Sequence, residues 1–340
     1  MMTETRRAQL ARAMAEHGWD LLLLYGHAWR KDFCLSDTQF PGHEWAEALL
    51  PSGESRSAGE SPAAQVLADD SGKRVAIAGL EFMEARAVHA ISKKLGAMPV
   101  SATAAIQELL RVKTPDEIAR IEKAAQLADR GYEYFAQIIE PGMAEYELAA
   151  EVEGFLKGQG SQDNFMLIGS GGTEVTGMKP PARRRFQLGD QVTTELTPCV
   201  GGYYAQICRT LTLGEPSREQ RRAFEIFYEA QQAAEQVLKP GADIADVARV
   251  QNDVFRKYGY GEYTGPKYTR VRGHNLGLHP DETPHVLEDV HYTVKENMVI
   301  IAHPNTYLPL SGYMVFGDTL LVTANGCRPL NRAARKLFQK

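Results

Sequence analysis

"PGMAEYELAAEVEGFLKGQG", residues 141–160, and "PGADIADVARVQNDVFRKYGY", residues 240–260, are two copies of one pattern. Each follows a long amphipathic stretch, opens on Pro-Gly and continues into a helical segment that stops at glycine. Leu148 and Val247, Leu156 and Phe255, Lys157 and Arg256, and Gly160 and Gly259 fall in register. Self-similarity of this kind predicts a domain of two related helix-helix-strand halves with a site between them.

The segment leading into the first copy, "KTPDEIARIEKAAQLADRGYEYFAQII" (113–139), predicts a long helix. Thr114 suits the cap, Pro115 the first helical position, and Glu117 completes a T-x-x-E capping box. Ile118, Ile121, Ala125, Ala128, Tyr132 and Phe135 then recur at helical spacing as a stripe for burial. A domain boundary is expected here, with domains 1–112 and 113–340. Upstream, "WDLLLLYG", "RVAIAG", "LEFMEARAVHAISKKLG" and "MPVSA" alternate strand and helix, a small α/β layer domain. "LPSGESRSAGESPAAQ" (50–65), rich in Ser, Gly and Glu, reads as a flexible loop. Downstream of the first copy, "QVTTELTPCV" and "YYAQICRTLTL" alternate around Gly201-Gly202, a two-residue hairpin signal. That turn sets Gln206 opposite Thr197, so Glu195, Thr197, Gln206 and Cys208 share a face.

The bulk numbers exclude several classes. The 340 residues are 44% hydrophobic and 24% charged, ordinary for a folded soluble protein, and a net charge of -5 provides no field for nucleic acid or an anionic membrane. No window reaches the length of apolar sequence needed to span a bilayer. The start, "MMTETRRAQLARAMAEHG", reads as an amphipathic helix rather than a signal segment, so a cytoplasmic location is expected. Cys34, Cys199, Cys208 and Cys327 form no C-x-x-C pair and suggest neither a disulfide framework nor a thiolate metal site.

Five collinear motifs, "ELLRVKTPDEIARIEKAAQLADRG", "GYYAQICRTLTLG", "GHNLGLHPDETP", "ENMVIIAHP" and "GDTLLV", together resemble the creatinase, aminopeptidase P and prolidase family along essentially the whole chain. The resemblance implies an α+β fold: a pita-bread C-terminal domain with pseudo-twofold halves, preceded by the α/β N-terminal domain. Peptidases of that family hold two metal ions with two aspartates, a histidine and two glutamates. At the matching positions stand Glu195, Gln206, His274, His303 and Gly317, with Asp318 beside the last. The further histidine that contacts the scissile carbonyl falls on Met178. Two metal ions bridged by carboxylates need negative charge to offset their repulsion, which argues against a dinuclear centre here. Glu195, His274 and His303 remain as a set able to hold one divalent ion, Zn, Fe or Mn; the alternative is a pair of neutral imidazoles that hydrogen-bond substrate.

The expectation drawn from this pattern is a creatinase-branch enzyme that has left peptide hydrolysis. It would act on a C–N bond of a small-molecule substrate by hydrolysis or elimination, metal-free or with one ion. His274 or His303 would carry acid-base chemistry, Glu195 would orient it or ligate, and Glu282 joins this catalytic set. Gln206, His279, Cys208, Met178 and Tyr204 would line the substrate pocket, and Arg209 would anchor a strand. Cys208 beside an imidazole also has the makings of a nucleophile, but a buried strand cysteine is the plainer reading. His285 and His291 are read as loop-edge residues. Two alternatives stay open: a metal-dependent Xaa-Pro aminopeptidase or dipeptidase, and a non-catalytic binding module of the same fold. The resemblance further implies a homodimer in which "YGHAWRKDF" lends His27 or Arg30 to the partner's site.

Overall fold

The structure, a computed structural model, describes residues 4–27, 44–52, 54–58, 67 and 70–340. The chain divides into two units, Met1–Asp116 and Glu117–Lys340. In the first, α1 (Glu4–His17), α2 (Ala85–Leu95) and α3 (Thr103–Arg111) accompany β1 (Leu21–His27), β2 (Glu44–Leu49), β3 (Ser55–Ala58), β4 (Val75–Ala78) and β5 (Val100–Ser101). The sheet order is β3-β2-β1-β4-β5, with β1, β4 and β5 parallel. Leu21 to Leu24 are fully buried, as expected for a central strand covered on both faces. One expectation is corrected here. Ser55–Ala58, inside the stretch read as a loop, pairs antiparallel with Ala46–Leu49 as the sheet's edge strand. Edge strands tolerate polar residues, so composition hid it. Arg30 and the side chain of His27, the residues offered to a partner subunit, lie outside the described residues. Among the described residues no helix is long and apolar enough to cross a membrane.

The second unit has helices α4 (Pro115–Ile138), α5 (Glu145–Gly158), α6 (Arg218–Val237) and α7 (Ile244–Lys257). Its strands are β6 (Asn164–Gly171), β7 (Gln191–Val200), β8 (Tyr203–Tyr204), β9 (Ile207–Thr212), β10 (Gly273–Asn275) and β11 (Glu282–His285), then β12 (Val299–Ala302), β13 (Asn305–Leu308), β14 (Gly312–Val315), β15 (Gly317–Thr323), β16 (Gly326–Pro329) and β17 (Phe338–Gln339). The main sheet runs β11-β10-β12-β15-β9-β7-β6. The stripe of α4 is buried from Ile121 to Phe135.

The repeat seen in the sequence extends to individual hydrogen bonds. The Gly142 amide donates to the Phe186 carbonyl at 2.8 Å, and the Gly241 amide to that of Val294 at 2.9 Å. Glu145 and Ile244, opening α5 and α7, both donate at 3.0 Å, to Arg184 and Tyr292. Both Pro-Gly glycines have positive φ, 92° and 86°, conformations that a side chain would strain. Leu148, Val247, Leu156 and Phe255 are all fully buried.

The halves join where β9 pairs β15, Cys208 facing Gly317 and Ile207 facing Asp318. Behind this seam Arg209, fully buried, donates to the Cys208 and Gly317 carbonyls at 2.9 and 2.8 Å and to Asp318 at 2.7 Å, and lies over the Phe316 ring. Arg335 reaches the other Asp318 oxygen at 2.8 Å. Removing one partner of such a pair strands a charge in the interior. Asp318→Ala is therefore expected to lower unfolding stability by about 3–5 kcal/mol in urea titration; a loss under roughly 1 kcal/mol would show that the pair does not hold the seam.

Candidate active site

The candidate site is built by strand register. Gly201 and Gly202, with φ of 59° and 81°, turn β7 into β8, setting Val200 opposite Tyr203 and Glu195 opposite Cys208. Gln206 and Glu195 meet diagonally, as the two-residue turn requires: the Gln206 amide donates to Glu195 Oε2 at 3.1 Å and to Cys208 Sγ at 3.2 Å. Across the seam, the His303 amide donates to the Arg272 carbonyl at 3.1 Å. The His274 and His303 rings lie edge to face with centroids 5.3 Å apart, each 5% exposed.

Burial dominates the electrostatics. It pushes the Glu195 carboxyl up to about 7, with the Asp281 charge adding to the shift. It drives His303 down to about 3, helped by His274, and lowers His274 as well, against the opposing pull of Asp281. Asp281 had no signal in the sequence beyond its place in a polar loop. The β10–β11 pairing, His274 facing His285, brings it back beside His274 Nδ1 at 4.0 Å, while His285 Nε2 holds it at 2.8 Å. His285, read from sequence as peripheral, thus touches the site through Asp281. His291 bonds Asp243 at the start of α7, 2.6 Å away on the surface.

The other expected residues pack or hydrogen-bond around these side chains. Met178 packs with Val175 against Cys208, Tyr313 and Val315, an apolar wall. Burial pushes the Cys208 thiol well up, with the Glu195 charge adding to it, so the nucleophile reading is set aside. Glu282 accepts from Asn275 Nδ2 at 2.6 Å and from the His279 amide at 3.0 Å, clamping the loop that carries His279. The Tyr204 hydroxyl donates to Asp163 at 2.7 Å.

The donor set does not fit two bridged metal ions. A Cβ at Gly317 would stand 2.5 Å from the Ala302 carbonyl oxygen and 2.6 Å from His303 Cβ, so no carboxylate side chain fits there beside this histidine. Asp318 is committed to Arg209 and Arg335 behind the sheet. Gln206 turns its amide nitrogen, a donor, toward Glu195. Among the described residues no three His, Cys, Asp or Glu side chains converge as a metal-holding group, so Glu195, His274 and His303 are not preassembled as one.

Residues 119–324 match the family model described as metallopeptidase family M24. The chain belongs to that family. The Xaa-Pro dipeptidase of Pyrococcus furiosus is 32% identical over 235 residues, covering 68% of this chain and 66% of that protein's length. Among solved structures, a prolidase from Pyrococcus horikoshii superposes with a TM-score of 0.83 at 24% identity, covering 97% of this chain and 99% of that one. A prolidase from Pyrococcus furiosus gives 0.81 at 25%, covering 95% and 99%. The fold is α+β with the pita-bread domain expected from the motifs. The similarity to proteins named Xaa-Pro dipeptidase and prolidase overturns the expectation of an enzyme that has left peptides for the C–N bond of a small molecule. The expectation rested on the side chains at five matched positions, whereas the family relationship spans residues 119–324.

Two outcomes follow from the floor geometry. Gly317→Ala, overpacked against Ala302 and His303, is expected to cost about 1–3 kcal/mol, measured by denaturant unfolding; an unchanged midpoint would contradict the tight contact. For Glu195, the folded state keeps a proton that the unfolded chain releases between the ordinary carboxyl value and about 7. The group therefore lowers stability as pH rises through that window, with no further change above it. Glu195→Gln is expected to gain roughly 1–2 kcal/mol near pH 8 and nothing near pH 4; a gain independent of pH would refute the assignment.

Proposed function

We propose that this chain hydrolyses short peptides of the Xaa-Pro class, and that it does so without the carboxylate-bridged dinuclear centre. The observation that carries the substrate class is the 32% identity to a protein named Xaa-Pro dipeptidase. The donor set supports the second half: an amide at 206, an imidazole at 303 and a glycine at 317 leave Glu195 as the carboxylate among the five matched positions.

In this reading the side chains supply the chemistry directly. Glu195, at about 7, is present in both protonation states near neutral pH, the condition for a group that exchanges a proton with water or a leaving group. His274 and His303 stay neutral and provide hydrogen bonds without charge. Met178 and Val175 with Tyr313 keep one wall apolar, which strengthens the polar contacts inside. A second reading, peptide binding without turnover, is favoured by the loss of carboxylates from the floor.

The deciding experiment is proline release from Ala-Pro by the purified protein, by chelator-treated protein, and with added Mn(II) or Co(II). Release that survives chelation is the expected result. Release found only with two bound metal ions per chain would overturn the non-dinuclear centre. Calorimetric binding of Ala-Pro with no proline under any condition would establish the second reading.

A further inference from the structure

Among the described residues, Asn305 is the side chain that hydrogen-bonds the His303 ring. Asn305 Nδ2 lies 3.1 Å from His303 Nδ1. An amide is ambiguous in isolation, but here the other end of Asn305 is pinned. Arg272, fully buried, points Nη1 at Asn305 Oδ1, 3.1 Å away, and at the Asn305 backbone carbonyl, 2.8 Å away. A guanidinium only donates, so Oδ1 must face it. Turning the amide over would set NH2 against a cation. Nδ2 therefore donates toward His303, and His303 Nδ1 accepts with its lone pair.

The guanidinium is held in turn. Its Nε donates to Asn252 Oδ1 at 2.6 Å, its Nη1 also reaches the Thr269 carbonyl at 2.7 Å, and it lies over the Phe255 ring. Asn252 and Phe255 both stand on α7, inside the second repeat copy. His274 is fixed the opposite way. Its Nδ1 sits 2.9 Å from the Asn275 carbonyl, which can only accept, so the proton is on Nδ1 and the lone pair on Nε2.

We infer that the Arg272–Asn305 relay holds His303 as its Nε2–H tautomer, a neutral hydrogen-bond donor for a carbonyl oxygen of the bound peptide. His274 beside it is the complementary acceptor. Arg272 and Asn305 are positioning residues. A ring nitrogen that carries a proton has no lone pair for a metal ion, so His303 Nε2 is not a ligand atom in this arrangement. The edge-to-face pair thus offers one N–H and one lone pair side by side, the complement of a peptide amide or a water molecule. The identity of the ligand rests on the Xaa-Pro reading; the tautomer does not.

The test is a two-bond ¹H–¹⁵N correlation spectrum of full-length protein labelled at histidine, with His274→Asn and His303→Asn each deleting one set of signals for assignment. The expected pattern is a protonated Nε2 on His303 and a protonated Nδ1 on His274. A protonated Nδ1 on His303 overturns the proposal. Asn305→Asp, whose carboxylate can only accept, is expected to move the His303 proton to Nδ1, leave His274 unchanged, and weaken Ala-Pro binding about tenfold. A His303 pattern unaltered in that variant removes Asn305 from its role. Should Asn305→Asp fail to fold, the wild-type pattern decides alone. If the wild-type tautomers are as stated but Ala-Pro neither binds nor shifts the His303 signals, the peptide assignment falls and the relay stands.

Discussion

The Arg209–Asp318 pair sits where the two halves of the sheet meet, and the floor of the cleft depends on it. A guanidinium carries its donors in a rigid fork, and here that fork takes the carbonyls of Cys208 and Gly317 along with the Asp318 carboxylate. Those carbonyls belong to the facing residues of β9 and β15. One buried side chain therefore fixes the spacing between the Glu195–Gln206 side of the site and the His303 side. Asp318 is held on the Arg209 and Arg335 side of the sheet, so it does not also serve the Glu195–His303 side.

On the other face of the seam Glu195 is half-buried beside a donor amide, and both imidazoles are held neutral by burial. Asp281, about half exposed and bonded to His285, is the carboxylate whose charge is felt by Glu195 and His274. These side chains offer oriented hydrogen bonds and one carboxyl of raised pKa. Arg272 carries a charge close by; its Nε and Nη1 donate to Asn252, Thr269 and Asn305, while its buried Nη2 has no partner among the described residues.

Much of this was legible in the sequence where the rule is local or periodic. The stripe of α4, the repeated Pro-Gly turns and the Gly201-Gly202 hairpin follow from spacing alone, and the hairpin register by itself places Glu195 beside Gln206. The collinear motifs carried the fold. What stayed hidden depends on contacts between distant segments. Asp281 joins the site because β11 folds back on β10, and Asn305 matters because Arg272, from another strand end, fixes its amide. Ser55–Ala58 was hidden for a different reason, since an edge strand need not be apolar. The functional expectation failed because it rested on a few side chains, whereas the similarity to Xaa-Pro dipeptidase runs over 235 residues.

The contact between Gly317 and His303 also constrains how this site relates to its metal-binding relatives. A side chain at 317 and the present backbone at 303 exclude one another, as the 2.5 Å and 2.6 Å approaches show. The two positions are therefore not independent characters. A carboxylate introduced at 317 first meets a wall, and exchanging His303 first leaves a void beside a glycine and an Asn305 amide with nothing to donate to. Adding a side chain at 317 therefore requires the backbone at Ala302 or the position of His303 to shift in the same step.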